Sequence, residues 1–430
     1  MGNAYERIAE QARKHEKVQT LMHYLNKENL SEVHKQQPKG KAKGIDGVSK
    51  EIYEKNLDSN IDELLKQMKQ FSYRPQAVRR AYIPKAGSDK MRPLGIPAYR
   101  DRLVQGVMQR VLDQIYEGKF CDFSYGFRTG RSCHQAIREV NQIIMTKKIS
   151  YVVDADIEGF FDNVDHDWLM KFLEHDIADK NFLRYIKRFL KAGVMEDMKY
   201  NESDKGTPQG GLISPVLANV YLHYVLDLWF DKVVRKHCKG EAYMVRYADD
   251  FVCMFQYENE ANNFFKALEV RLGKFGLKLA KDKSRIIRFG RFAKQNSAGS
   301  KTDTFDFLGF THINGQTLTG KYTVLHRTSM KKLKAKKQAV KEWLTANTHG
   351  EPAEVIKLLN LKLVGHYRYY GISGNYEGLM KFYRFIVSAM YQRLTRRSRR
   401  AYLSWKRYKM LLENHPIIEP RIYVDIWQAL

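Results

Sequence analysis

Apolar residues recur at helical spacing along much of the chain, and this pattern predicts amphipathic helices. The first predicted helix covers residues 1–30, with Leu21, Met22 and Leu25 on one face, and a second covers residues 51–70. Further helices are predicted over about 99–116, 133–146, 166–190 and 258–274, and from Ser329 to about Leu412. The chain therefore has helices throughout, and its last quarter is predicted to contain only helices.

Short apolar runs rich in β-branched and aromatic residues predict strands between these helices. The predicted strands are Val78–Pro84, Tyr151–Ala155, Ala242–Arg246, Phe251–Phe255 and Phe305–Thr311, with a small hairpin over 195–201 and two more short strands ending near Phe289. The segment Arg92–Pro97 begins and ends its apolar core with prolines, so we expect it to be extended or looped. Ser214 before Pro215 is a plausible N-cap. Strands and helices mix over about 310 residues, which predicts an α+β fold followed by a helical region.

The net charge of the chain predicts the kind of partner that it binds. The 430 residues include 74 Lys plus Arg against 48 Asp plus Glu, a formal net charge of +26. Residues 321–430 hold 22 basic and 7 acidic residues, so the excess is densest in the helical region. Lysine and arginine displace counterions from phosphates, and the pattern therefore predicts a nucleic-acid partner.

Cysteine usage and hydropathy exclude two other classes of protein. The four cysteines, Cys121, Cys133, Cys238 and Cys253, have no CxxC spacing, so they predict neither a zinc site nor a disulfide framework. No apolar run approaches the roughly 18 residues that a membrane span needs, and we expect no membrane partner. Reduced thiols fit a cytoplasmic protein, associated with the nucleoid when it acts on DNA.

Three aspartates stand where a metal-dependent phosphoryl transfer needs them. Asp156 ends the strand Tyr151–Ala155, and Asp249 and Asp250 lie in the tight connection between two predicted strands. Aspartate is also a common turn residue, so an Asp-Asp pair alone is weak support. Two or three carboxylates at strand ends are nevertheless the ligands that two Mg²⁺ ions require. Asp154 shares a strand face with Asp156, and we expect it to be a neighbour rather than a ligand.

The residues around these aspartates carry a family resemblance. Tyr247–Asp250, Asp156–Asp162 and Gly206–Pro215 resemble blocks of the reverse transcriptases encoded by group II introns, in the type that lacks an endonuclease. Further blocks that match in the expected order are Ile83–Lys85, Arg92–Pro97, Ser124–Arg128, Gly276–Leu279 and Phe307–Phe310. Each match alone is modest, but several in register are specific.

The resemblance implies a right-hand polymerase architecture. Residues 1–315 would form the fingers and palm, an antiparallel sheet with helices. Residues 316–430 would form an all-α thumb or maturase (X) domain with a basic segment that binds RNA or DNA. No paired cysteines or histidines follow Cys253, so we expect no C-terminal DNA endonuclease.

Catalytic and metal-binding roles follow from the same resemblance. Asp156 and Asp249 would bridge two Mg²⁺ ions, for which Mn²⁺ could substitute, and Asp250 would support them. Ile157 belongs to the same metal-binding set. These assignments make the chain an RNA-directed DNA polymerase.

The resemblance also implies nucleotide and nucleic-acid contacts. Lys85 and Arg92 would grip the triphosphate, Gln209 would lie against the incoming nucleotide, and Phe161 would lie under its sugar, where a ring excludes a 2′-hydroxyl. The residues expected to contact template, primer or RNA are Gly210, Leu308, Gly309, Lys331, Lys332, Lys336, Arg396 and Arg397.

The function implied is that of a group II intron reverse transcriptase that copies RNA into cDNA and, as a maturase, promotes splicing and retrohoming. Its partners would be the intron RNA, an RNA template with a DNA or RNA primer, target DNA and dNTPs. Two alternatives stay open, a reverse transcriptase of a domesticated defence or diversity-generating system and a non-catalytic splicing scaffold. Phe161 argues against an RNA-dependent RNA polymerase, which would need to accept the 2′-hydroxyl.

Overall fold

The fold is known from a computed structural model of the 430-residue chain. It describes residues 2–14, 17–84, 91–197, 199–207, 210–294, 303–397 and 403–427. Helices and strands are mixed as far as residue 328, and the elements that follow in the described residues are all helices. The α+β class and the helical C-terminal region predicted from the sequence are therefore confirmed.

Sixteen α-helices lie in the part of the chain that the structure describes. They are α1 (Gly2–Lys14), α2 (Lys27–Gln36), α3 (Lys50–Glu54), α4 (Leu57–Lys69), α5 (Tyr99–Tyr116), α6 (Cys133–Thr146), α7 (Phe160–Asn163), α8 (His166–Asp176), α9 (Lys180–Leu190), α10 (Ser214–Leu222), α11 (Arg235–His237), α12 (Glu258–Lys274), α13 (Met330–Ala346), α14 (Pro352–Tyr370), α15 (Tyr376–Thr395) and α16 (Trp405–Asn414). Between α10 and α11 the helix continues through two π-helical turns, His223–Asp227 and Phe230–Val234.

Eleven strands among the described residues form three sheets. They are β1 (Val78–Pro84), β2 (Met91–Ile96), β3 (Tyr151–Ala155), β4 (Val194–Glu196), β5 (Lys199–Asn201), β6 (Ala242–Tyr247), β7 (Asp250–Phe255), β8 (Arg285–Arg288), β9 (Thr304–Phe307), β10 (Phe310–Gln316) and β11 (Tyr322–Thr328). The sheet orders are β2-β1-β4-β5, β6-β7-β3-β8 and β11-β10-β9.

The central sheet, β6-β7-β3-β8, is antiparallel throughout. Val153 and Cys253, opposite each other on β3 and β7, are fully buried. Helices α8, α10 and α12 contribute to the large core cluster on the same face. In β3, the side chains from Tyr151 to Val153 are buried on both faces of the sheet. The first carboxylate, that of Asp154, comes near the end of the strand.

The first sheet brings together segments that are distant in sequence. Strand β1 pairs with β2 in antiparallel register and with β4 in parallel register, Val78 opposite Val194. Helix α5, which follows β2, packs against α1, α2 and α10 and is buried along most of its length. Pro93 lies on an edge strand, where its missing amide costs no ladder hydrogen bond.

Two further apolar clusters involve the last three strands and the final helices. Phe305, Phe307 and Val324 pack behind the central sheet. Helices α13 to α16 enclose a separate core that includes Leu363, Tyr367 and Phe382. Tyr367 is fully buried, which makes it a packing residue of this core.

Several local predictions near the N-terminus and the central helix were wrong. The helix predicted over residues 1–30 is instead α1, a 3-10 turn at Met22–Tyr24 and α2, which begins where the Asn26 side chain caps the Asn29 amide. Leu21 is still fully buried. Ser214 is the first helical residue rather than the N-cap, because Ile213 occupies the cap position.

Other corrections concern strands. The strand predicted over Phe305–Thr311 is broken at Leu308 and Gly309, and β9 and β10 pair back on each other. Only β8 forms in the region where two strands were predicted, and Leu279 makes an isolated bridge to Ile157. The Arg92–Pro97 segment, predicted to be extended or looped, is extended and forms most of strand β2. Residue 315 lies within β10, which pairs with the following strand β11. The domain boundary predicted between residues 315 and 316 stays a prediction.

Within the described ranges, none of the helices combines the length and the apolar character needed to cross a lipid bilayer.

Candidate active site

The central sheet brings the three predicted catalytic aspartates to one edge. Tyr247 pairs with Asp250 across the turn that joins β6 to β7, and Ala248 in that turn has a left-handed φ of 58°. Ala155 on β3 lies opposite Phe251 on β7. Asp156 therefore leaves its strand beside Asp250, as expected from antiparallel pairing.

A buried polar network stabilises the β6–β7 turn. Arg246 and Asp227, both fully buried, form an ion pair with Nε···Oδ1 and Nη2···Oδ2 distances of 2.7 and 2.5 Å. The Arg246 guanidinium also donates to the Asn219 side chain at 3.0 Å, the Ala248 carbonyl at 2.9 Å and the Ser124 hydroxyl at 2.8 Å. Five guanidinium contacts therefore fix the conformation of the turn that carries Asp249.

The segment before α6 completes the support. Tyr125 donates its backbone amide to the Arg246 carbonyl at 2.8 Å. A Cβ atom at Gly126 would overlap the backbone nitrogen of Ala248, so only glycine allows this close approach. The Asn219 side chain donates to the Gly126 carbonyl at 2.7 Å.

The aspartates share a strongly negative environment. Burial raises the pKa of Asp250 to about 7, with added repulsion from the charges of Asp154, Asp249 and Asp156, although part of the Asp250 side chain stays exposed. Burial also raises the pKa of Asp249, and the positive charge of Arg92 opposes that rise. A cation at this edge would relieve the repulsion, which is the electrostatic condition for a metal site.

Asp156 is held by its backbone and by a lysine. Its amide donates to the Ser284 hydroxyl at 3.1 Å, and Lys283 Nζ lies 2.8 Å from Asp156 Oδ2. Within the described residues, no three His, Cys, Asp or Glu side chains are gathered so as to hold a metal by themselves. Carboxylate oxygens nonetheless fit Mg²⁺, which takes a few carboxylates together with substrate phosphates rather than an all-protein cage. Ile157, from the predicted metal set, is a buried apolar residue beside Asp156.

Phe161 lies beside the loop predicted to contact the nucleotide. Thr207 donates its amide to the Phe161 carbonyl at 2.8 Å, and the Gly206 amide reaches the Val164 carbonyl at 2.7 Å. The Phe161 ring is half-buried and meets the exposed Phe127 ring edge-on, with centroids 6.5 Å apart. Phe160 is buried in the core, so only Phe161 of the pair faces the cleft region.

The first sheet approaches the same loop from the other side. Arg92 on β2 is exposed, and its positive charge acts on Asp249. A Cβ at Gly210 would lie 2.5 Å from the Gly95 carbonyl oxygen, and Gly210 has a φ of 121°. The structure thus places Arg92 within electrostatic reach of Asp249, Gly210 against Gly95 of β2, and Phe161 against Thr207 of the predicted nucleotide loop. The other two predicted nucleotide contacts, Lys85 and Gln209, lie outside the described residues.

Apart from Gly210, which lies against Gly95, the residues predicted to contact nucleic acid divide into two groups. Leu308 and Gly309 form the β9–β10 turn, and the Leu308 backbone is close enough to Asp250 to lower the pKa of its carboxyl group. The other five lie in the helical region: Lys331, Lys332 and Lys336 are exposed on α13, and Arg396 and Arg397 follow α15. The first group therefore belongs to the site, whereas the second offers a separate basic surface.

Three residues that sequence reasoning did not assign help to build the site. Arg246 and Asp227 form its buried support, and Lys283 pairs with Asp156. An arginine inside an apolar strand was the available signal for Arg246, because a buried charge needs a partner. His166 is buried and hydrogen-bonds the Gly206 carbonyl at 2.7 Å.

Comparison with known proteins agrees with this geometry. Residues 83–312, more than half of the chain, match the family model described as reverse transcriptase (RNA-dependent DNA polymerase). The chain belongs to the reverse transcriptase family. The matched range begins in β1 and ends in β10, so it contains all three aspartates and the segments Gly206–Pro215 and Phe307–Phe310.

The names of several curated relatives of this reverse transcriptase refer to introns. The group II intron-encoded protein LtrA of Lactococcus lactis subsp. cremoris is 43% identical over 175 residues, 40% of this chain and 29% of that protein. Protein YkfC of Escherichia coli is 32% identical over 315 residues, 66% of this chain and 78% of that protein. An uncharacterized 91 kDa protein in the cob intron of Schizosaccharomyces pombe is 39% identical over 179 residues, 42% of this chain and 21% of that protein. These matches confirm the resemblance to group II intron reverse transcriptases and maturases, although the aligned part spans less than a third of LtrA.

Proposed function

We propose that this reverse transcriptase copies RNA into DNA by a two-metal nucleotidyl transfer, with Asp156, Asp249 and Asp250 as its catalytic carboxylates. The observation that carries the proposal is the position of these three aspartates at one edge of the central sheet, with Asp156 after β3 and the other two at the β6–β7 turn, which Arg246 fixes. Two Mg²⁺ ions, or Mn²⁺ in their place, would lower the pKa of the primer hydroxyl and neutralise charge on the leaving pyrophosphate.

The residues of the chain would divide the remaining work between them. Asp156 and Asp249 would hold the ions, and Asp250 would support them. Arg92 would bind the triphosphate by charge-assisted hydrogen bonds, as would Lys85. Phe161 would exclude a ribose from the sugar position, and Gln209 with the nearby glycines would let the nucleotide approach the backbone closely.

We further propose a maturase function in which the chain binds its intron RNA and promotes splicing and retrohoming. The exposed lysines of α13 and the arginines after α15 would contact RNA backbone, together with Leu308 and Gly309 near the primer. Such binding depends on shape and phosphate charge rather than base sequence. Target DNA, dNTPs and a cytoplasmic, nucleoid-associated location belong to the same proposal.

Primer extension tests the polymerase proposal. Wild type should extend a primer on an RNA template with Mg²⁺ and dNTPs, whereas Asp249→Ala/Asp250→Ala should lower the rate by about a thousandfold or more, because several kcal/mol of metal-mediated stabilisation are removed. The cDNA formed over time, resolved by length, is the measurement.

A matched control removes two carboxylates elsewhere. Asp58→Ala/Asp62→Ala changes exposed residues of α4 that form ion pairs with Lys27, and this variant should extend the primer at the wild-type rate. A wild type that binds structured RNA tightly but makes no cDNA would instead favour the splicing scaffold. The Asp249→Ala/Asp250→Ala variant should keep its splicing activity if polymerisation and RNA binding are separate.

A further inference from the structure

The β9–β10 turn has an unusual backbone. Leu308 and Gly309 have left-handed φ values of 48° and 80°. Glycine adopts this region without strain, but leucine is strained there and adopts it only where its surroundings hold it. The contacts that hold Leu308 therefore identify what the turn is built to keep in place.

Leu308 has a contact on each side. The Tyr369 hydroxyl, from the end of α14, donates to the Leu308 carbonyl at 3.0 Å. Strand β9 lies against β7, the strand that begins at Asp250, and the Leu308 backbone is close enough to the Asp250 carboxylate to lower its pKa. One residue thus connects the last turn of a helix in the C-terminal region with a carboxylate of the candidate active site.

Tyr369 is itself well fixed. His134 of α6 lies 2.7 Å from the Tyr369 carbonyl oxygen, and the ring stacks on Phe310 with centroids 6.0 Å apart and an interplanar angle of 16°. Burial raises the pKa of the Tyr369 hydroxyl, so it stays protonated and able to donate. Cys133 is its other polar neighbour.

Tyr370 offers a natural comparison. It neighbours Tyr369 on α14 and lies on the other side of the turn, where a Cβ at Gly309 would be 3.2 Å from its hydroxyl oxygen. Its ring also packs against Phe310, with centroids 5.3 Å apart. Among the hydrogen bonds of the described residues, none joins its hydroxyl to the turn, so it contributes packing alone.

We propose that Tyr369 is a positioning residue for polymerisation, because its hydroxyl fixes the Leu308 peptide and, through it, the carboxylate of Asp250. The inference deepens the proposed polymerase function and rests on it. Through the β9–β10 turn, Tyr369 would allow α14 to influence the active site although this helix does not touch the reacting atoms.

Hydrogen exchange tests the connection without requiring catalysis. In Tyr369→Phe, exchange of the Leu308 amide should be about tenfold faster than in wild type, because the turn loses its anchor. In Tyr370→Phe and in Cys133→Ala, which keep the Tyr369 hydroxyl on Leu308, it should stay at the wild-type rate. Unchanged exchange in Tyr369→Phe, or an equal increase in Tyr370→Phe, would overturn the inference.

Kinetics tests the consequence. Tyr369→Phe should lower kcat for primer extension about fivefold and raise the Mg²⁺ concentration for half-maximal rate, while the KM for dNTP stays within about twofold. Tyr370→Phe should leave all three values within about twofold of wild type. If wild type extends primers and both variants behave alike, the positioning role is wrong. If wild type itself extends no primer, the polymerase proposal fails, and that result is distinct from the first.

Discussion

Phe161 shows how one side chain acquires a function from its position. Its neighbour Phe160 is 2% exposed and packs in the core, whereas Phe161 is half-buried beside the loop at Gly206 and Thr207. The two residues are chemically identical and adjacent in sequence, so only the fold separates the packing role of Phe160 from the sugar contact proposed for Phe161.

Phe161→Ala should therefore relax sugar selection. Removing the ring leaves room for a 2′-hydroxyl, and the preference for dNTP over NTP should fall by about ten- to two-hundredfold. The ratio of kcat/KM for dCTP and CTP on one RNA template is the measurement. Phe160→Ala is the contrasting variant, since it should cost about 3–5 kcal/mol of stability and leave the ratio unchanged. An unchanged ratio in Phe161→Ala would contradict the assignment.

At the scale of elements, sequence periodicity located the long helices well. Helices α5, α6 and α12 begin and end at the predicted residues, because each has an apolar stripe and α6 also has a capping box formed by Ser132 and Gln135. The pairing around Asp249 and Asp250 was also predictable, since two apolar runs flank a tight turn.

Other elements depend on interactions that no local pattern carries. Leu308 takes a turn conformation that leucine disfavours, so the break between β9 and β10 was not predicted. The π-helical turn at His223–Asp227 looks like ordinary helix in sequence, yet Asp227 within it forms the buried pair with Arg246. Both features depend on partners far along the chain, and π-turns of this kind are frequent at functional sites.

The buried pair predicts a difference between two aspartates on one helical segment. Asp227→Asn leaves Arg246 charged and buried, so the free energy of unfolding should fall by about 3–5 kcal/mol. Asp231→Asn, four residues later, removes exposed ion pairs with Lys232 and Arg235 and should cost less than about 1 kcal/mol. Urea unfolding of the three proteins measures the difference, and equal destabilisation would show that the burial of the pair is unimportant.

At the scale of the whole molecule, charge should govern RNA affinity. Replacing Lys331, Lys332 and Lys336 with glutamine should weaken RNA binding and reduce the slope of log K against log salt by about 2–3, roughly one for each phosphate that is no longer neutralised. Filter binding at several salt concentrations gives the slope.

Three lysines already engaged in surface ion pairs provide the control for this prediction. Lys27, Lys281 and Lys381 each pair with an acidic residue, so their replacement with glutamine removes the same charge from sites outside the α13 surface. For this control variant, the slope of log K against log salt should stay near that of wild type. If the slope falls by the same amount in both triple variants, binding responds to net charge and not to the basic surface of α13.

The network around Arg246 also has a consequence for how the chain folds. The β6–β7 hairpin is local and can form within microseconds, but its turn is completed by Ser124, which lies 122 residues earlier. Gly126 must then fit against Ala248 with no room for a side chain. The catalytic turn should therefore acquire its final shape late, after this long loop has closed, and a fragment that begins after Gly126 should form the hairpin without forming an active site.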